Sequence, residues 1–141
     1  MNKKKVKIAV PIFIIACVIL FYFIQYSNKS FTELLGTDEL NITKVSMLNG
    51  SNGNIVETTD KVKIEELINL LDNRDYKKSF EQNSRVGYSY YYDFYVGDKH
   101  ILRMTGCGND IQINRSYYHT NKEISVDSLS KWFNSLPIKS N

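Results

Sequence analysis

The stretch from Tyr90 to Tyr118, YYYDFYVGDKHILRMTGCGNDIQINRSYY, decides the fold. Aromatic and aliphatic residues alternate with polar ones along it, and the alternation breaks at Gly97–Lys99 and again at Gly106–Asp110. Tyr88 to Val96, His100 to Thr105 and Ile111 to Asn114 therefore read as strands of an antiparallel meander. Tyr117 to Thr120 and Glu123 to Ser125 are placed to extend it. Two registers compete at the first hairpin. A three-residue loop pairs Val96 with His100, Phe94 with Leu102 and Tyr92 with Met104, putting Asp93 opposite Arg103 on the other face. A two-residue Gly97-Asp98 turn is better turn chemistry but moves Arg103 onto the face of Phe94. The first register is expected here.

Two amphipathic helices flank this meander. Ile64, Leu67, Ile68 and Leu71 fall at i, i+3, i+4 and i+7, one apolar stripe, behind Thr59 or Asp60 as the N-cap. Leu129, Trp132, Phe133 and Leu136 repeat the spacing near the C-terminus, with Ser125 or Asp127 to cap and Pro137 to stop it. Both stripes need an apolar surface to cover. Before the first helix, Asn41 to Leu48 alternates as a strand, and Asn49–Gly53 supplies the turn to Ile55–Glu57, a hairpin. Residues 25–39 read as a polar tether with a short helix at Phe31–Leu35 closed by Gly36. The fold class is α+β: an antiparallel meander packed by two amphipathic helices, in one domain over residues 40–136, with a short tail at 137–141.

Ahead of the domain, Ile8 to Ile24 is an unbroken apolar run of 17 residues. As a helix it spans about 25 Å, the short end of what a bilayer core of roughly 30 Å requires. It exits into Gln25, Tyr26, Ser27, Asn28 and Lys29 with no small-residue cleavage site, so it reads as an uncleaved signal anchor. Lys3, Lys4, Lys5 and Lys7 precede it and Lys29 alone lies close behind. Residues 1–7 are then a cytoplasmic tail, 8–24 the membrane span, and the domain is extracytoplasmic. Ile14, Ile15, Ala16 and Cys17 resemble a lipobox, but the apolar continuation Val18–Phe23 favours a plain helix over a lipid-modified cysteine.

The chain holds 18 Lys plus Arg and 15 Asp plus Glu. The four lysines before the span account for the excess; residues 25–141 carry 14 basic against 15 acidic side chains. A basic nucleic-acid surface is not expected. Cys107 is the one cysteine outside the apolar run, so no disulfide staples the domain.

Catalytic signals are sparse. His100, His119 and Cys107 could serve a thiol- or histidine-dependent enzyme or ligate a metal, but no tight CxxC or HxxxH pair exists, and Cys107 sits between two glycines in a turn. Glu65, Glu66, Asp72 and Asp75 read as a solvated helix face. No catalytic residue, metal or cofactor is assigned. The tyrosines stand out instead: Tyr88, Tyr90, Tyr91, Tyr92, Tyr95, Tyr117 and Tyr118 crowd one part of the sheet, and alternation forbids all of them from being core. Tyr91, Tyr95, Tyr117 and Tyr118 are the candidate binding residues, with Tyr92 and Phe94 facing the helices. The plainer reading is that tyrosine simply covers a sheet with β-favouring residues.

Lysine, asparagine, isoleucine and tyrosine are abundant, as in proteins of AT-rich genomes. With its lysine-rich start, single span, strand pair, helix at Lys61–Leu71 and the Tyr90–Tyr118 stretch, the chain resembles the small membrane-anchored domains of unknown function of low-GC Gram-positive bacteria, over residues 40–136. That resemblance implies an anchored envelope protein and carries over no catalytic residue. Two classes of function follow: an extracytoplasmic binding module for another envelope protein or a glycan, either an adaptor or an immunity-like protector, and an enzyme using Cys107, His100 or His119.

Overall fold

A sheet covered on one face buries every second residue of its strands. Tyr90–Val96 obeys this: Tyr90, Tyr92 and Phe94 are buried, and Tyr91, Asp93 and Tyr95 lie on the opposite face. The computed structural model describes residues 3–83 and 90–139, the side chains of 3–9 excepted, so the expected strand start at Tyr88 lies outside the described residues. In chain order the elements are α1 (Lys3–Tyr26), β1 (Asn28–Lys29), α2 (Phe31–Leu35), β2 (Lys44–Asn49), β3 (Ile55–Thr58), α3 (Lys61–Asp72), β4 (Tyr76–Lys78), β5 (Tyr90–Val96), β6 (Lys99–Thr105), β7 (Gly108–Ile113), β8 (Ser116–Ile124) and α4 (Val126–Asn134). The fold is α+β. The strands form one eight-stranded sheet in the order β1-β4-β8-β7-β6-β5-β2-β3, and each ladder is antiparallel.

Both helical stripes pack as their spacing requires. Ile64, Leu67, Ile68 and Leu71 of α3 are buried, as are Leu129, Trp132 and Phe133 of α4. They join Val45, Met47, Val56, Phe94, Leu102, Met104 and Ile111 in a single core on one face of the sheet. Asp60 caps α3 and Ser125 caps α4, each accepting a backbone N–H of the first turn. The indole Nε1 of Trp132 donates to the Lys63 carbonyl at 2.8 Å, which ties α4 to α3.

The first hairpin combines the two registers that compete in the sequence. The turn is the two-residue one: Val96 pairs with Lys99, and Gly97 takes a φ of 58°, the left-handed conformation a primed hairpin turn demands. Yet Phe94 still pairs with Leu102, Asp93 with Arg103 and Tyr92 with Met104, because a β-bulge at Ile101 inserts one residue on β6. The expected three-residue loop is therefore corrected, while the expected facing of the core half of the hairpin holds.

Residues 25–39 differ from the tether expected of them. Ser27 alone separates α1 from β1, and β1 is paired with β4. α2 carries a Ser30–Glu33 capping box and buries Phe31 and Leu35 in the core. This helix has the expected bounds and the expected Gly36 stop, at a φ of 65°; what differs is that Phe31 and Leu35 dock it into the core. No local pattern marks β4 either; its Tyr76 is fully buried, and its hydroxyl donates to the Leu71 carbonyl at 2.5 Å. The C-terminal tail is not loose either. Ile138 bridges Val56, the Lys139 N–H donates to the Ile55 carbonyl at 2.7 Å, and the Lys139 ammonium pairs with Glu57, covering the β3 edge.

Among the described residues no helix is long and apolar enough to cross a membrane. The side chains of Ile8 and Ala9, which open the apolar run, lie outside the described set. The rest of that run is exposed on all sides of α1, Phe13, Phe21 and Phe23 by 70 % or more.

Candidate functional site: the helix-free face of the sheet

α2, α3 and α4 all contribute to the one core, so the opposite face of the sheet carries no helix among the described residues. Strand pairing sets its side chains in rows. One row runs Glu57, Ser46, Asp93, Arg103; a second runs Lys44, Tyr95, His100; a third runs Leu48, Tyr91, Thr105, Gln112, Tyr117.

Asp93 organises the first two rows. Its carboxylate accepts from Arg103 Nε and Nη2, both at 2.8 Å, in the planar fork that arginine presents to a carboxylate, and it meets His100 Nε2 at 2.7 Å. Burial alone would push the Asp93 pKa up. The hydrogen bonds from Arg103 and His100 outweigh that and hold it below the ordinary carboxylate range. The Arg103 guanidinium is correspondingly held more firmly in its charged form by Asp93. Tyr95 meets the His100 ring edge-on at 5.3 Å between centroids, and the Lys44 ammonium stands 4.3 Å over the Tyr95 ring. The result is a rigid patch of one aromatic ring framed by cations.

The candidate tyrosines divide between the faces. Tyr91, Tyr95 and Tyr117 lie on the helix-free face, with Tyr91 and Tyr117 three strands apart in the same row, about 14 Å at the usual strand spacing. Tyr118 does not join them. It pairs with Ile111 and packs against the core, and burial raises its phenol pKa. Adjacent residues of one strand point to opposite faces, so Tyr117 and Tyr118 could never have shared one. Lys44, which completes the patch around Tyr95, escaped sequence reasoning because nothing local says that β2 pairs with β5.

Cys107, His100 and His119 are not brought together. Cys107 is a free thiol in the β6–β7 connection, packed against the core on the helix side. His100 lies on the helix-free face with Asp93, and His119 on that face pairs with Asp110, Nδ1 to Oδ1 at 2.8 Å. A carboxylate that orients an imidazole is the arrangement of a general base, but the cysteine is on the wrong side to receive it. Among the described residues no three His, Cys, Asp or Glu side chains are grouped to hold a metal ion.

A cleft of about 470 Å³ opens on the helix layer between the 3₁₀ turn Glu39–Asn41 and α3, with Ile42, Ile64 and Ile68 as its floor and Asp38, Glu39 and Glu65 at its rim. Two of those carboxylates already have structural work: Asp38 accepts the Leu40 N–H and Glu39 accepts the Thr32 hydroxyl. Compared with known protein families, curated proteins and solved structures, the chain matches none.

Proposed function

We propose that this chain is a membrane-anchored binding module whose domain lies outside the cytoplasm and whose helix-free sheet face meets another cell-envelope protein or a glycan, without catalysis. The observation that carries the reading is the patch around Tyr95. Its ring is held in place by His100 and Lys44, and Arg103 is fixed beside it by Asp93. Preorganised aromatic and arginine side chains lose little entropy on binding, which is why they dominate recognition surfaces. The anchor reading rests on the apolar run from Ile8 to Ile24, the exposure of that run around α1, and the lysines clustered before it.

Photo-crosslinking in native membranes tests this. A crosslinker at Tyr95 or Tyr117 should capture a discrete partner, and one at Glu65 on the solvated face of α3 should not. Serine at Tyr91 and Tyr95 should weaken capture while the melting temperature holds. Replacing Cys107 and His119 together, both outside the Tyr95 patch, should leave capture by a crosslinker at Tyr117 intact. A phenotype lost with Cys107 alone, in a protein that still captures its partner, would favour the enzyme reading.

A further inference from the structure

The domain has no slack with which to leave its anchor. α1 ends at Tyr26, Ser27 follows, and Asn28 is already paired with Lys77 of β4. One linking residue reaches less than about 4 Å. Just past β4, Phe80 is 64 % exposed, yet its ring is not idle: it stacks on Tyr26 at 4.6 Å and on Tyr22 at 5.9 Å between centroids. Tyr22 and Tyr26 are themselves 4.8 Å apart. Three aromatic rings thus join the last turns of α1 to the edge of the sheet.

Around them the edge carries Lys29, Lys77 and Lys78, with the exposed carboxylates Asp75 and Glu81 at the two ends of the β4 segment. Lys77 shares a row with Asn28 and His119 on the helix-free face, and Lys29 and Lys78 lie on the other face with Tyr76 and Tyr118. The domain as a whole is close to neutral, and at this edge the three lysines outnumber the two carboxylates.

We infer that the β1–β4 edge, with Phe80, seats directly on an anionic phospholipid headgroup layer, the aromatic rings in the interfacial zone and Lys29, Lys77 and Lys78 against lipid phosphates. The inference rests on the reading of α1 as a membrane span. Aromatic rings with one apolar and one wet side partition to that zone, and each lysine held at an anionic surface adds to the attraction. Continuity fixes the occupant: the surface lies where the apolar part of α1 ends. The helix-free face would then stand beside the membrane at a set angle instead of swinging on a leash.

The test uses the full chain in vesicles of phosphatidylcholine, with or without phosphatidylglycerol, in which some lipids carry bromine near the headgroup. Native Trp132 is buried in the domain and reports the background. Phe80→Trp should be quenched at least about twofold more strongly than the parent in anionic vesicles, and less so in pure phosphatidylcholine. Lys29→Gln with Lys77→Gln and Lys78→Gln should reduce the anionic quenching to the phosphatidylcholine value. Quenching of Phe80→Trp no greater than background, in protein that resists carbonate extraction, would overturn the seating and leave the anchor standing. Release of the chain by carbonate would overturn the anchor itself and the seating with it. Quenching indifferent to both lipid charge and the lysines would overturn the anionic recognition.

Discussion

Asp93 and Arg103 face each other across β5 and β6 and join through two parallel hydrogen bonds of 2.8 Å on the sheet face that no helix covers. The Asp93 side chain retains only 14 % of its exposure, whereas Arg103 keeps 55 %. The pair is therefore half in water, and its worth comes from geometry more than from charge. Asp93→Asn should cost about 1 to 2 kcal/mol in urea unfolding at neutral pH. A loss confined to a few tenths would mean that the fork is only a surface contact.

The same carboxyl makes stability depend on acid. Folding lowers its pKa, so its contribution is present above the unfolded value, near 4, and disappears as pH falls through the lower folded one. Unfolding midpoints taken between neutral pH and about pH 3 should fall more steeply for the parent than for Asp93→Asn. Parallel curves would assign the acid sensitivity to other carboxylates.

Alkali should act through two buried phenols. Burial raises the Tyr76 pKa against the opposing charge of Arg74, and burial raises that of Tyr92 as well. A raised phenol pKa stabilises the fold fully below the unfolded value of about 10, and that stabilisation is lost as pH climbs above it. Absorbance titration should show these two tyrosines ionising only as the protein unfolds. Tyr76→Phe should also cost about 1 to 2 kcal/mol by leaving the Leu71 carbonyl unpaired.

Trp132 separates packing from hydrogen bonding. Trp132→Ala should cost about 3 to 5 kcal/mol by opening a cavity beneath α4. Trp132→Phe keeps most of the ring but loses the bond to the Lys63 carbonyl, and about 1 kcal/mol is expected from that loss alone. Equal costs in thermal or urea unfolding would show that the indole N–H, and not the ring, holds the two helices together.

Ending the chain at Pro137 removes the Ile138 bridge to Val56 and both Lys139 contacts with β3. Stability should fall by about 1 kcal/mol, and the bared edge should promote self-association detectable by light scattering. Lys139→Ala should reproduce the first effect more weakly and leave the second nearly absent, since the backbone pairing survives.

How much of this could be read in the sequence depends on how many residues carried each signal. The stripes of α3 and α4 run over about two turns with a cap at one end, and every stripe residue named before Leu136 is buried. The facing of Tyr91, Tyr92, Phe94 and Tyr95 follows from alternation over seven residues. β1 and β4 hold two and three residues and owe their pairing to a distant strand, so no local pattern announces them. The Asp93–Arg103 pair was legible because one hairpin contains both partners. The Lys44–Tyr95 contact was not, because strand order across the sheet is set by packing of the whole core and not by any segment of it.

Ile101 has a consequence for sequence comparison. The residue it adds to β6 lies between the turn and Leu102, and its half-buried side chain packs against the margin of the core. Deleting it would leave a regular ladder, with Val96 still opposite Lys99 and Phe94 still opposite Leu102. A deletion at this tip should therefore keep the register of the ladder and cost only the core contacts of the Ile101 side chain. An alignment of homologues scored without a gap here would displace every buried position of one strand onto its solvent side, and the most similar chains would look unrelated across the very segment that defines the sheet.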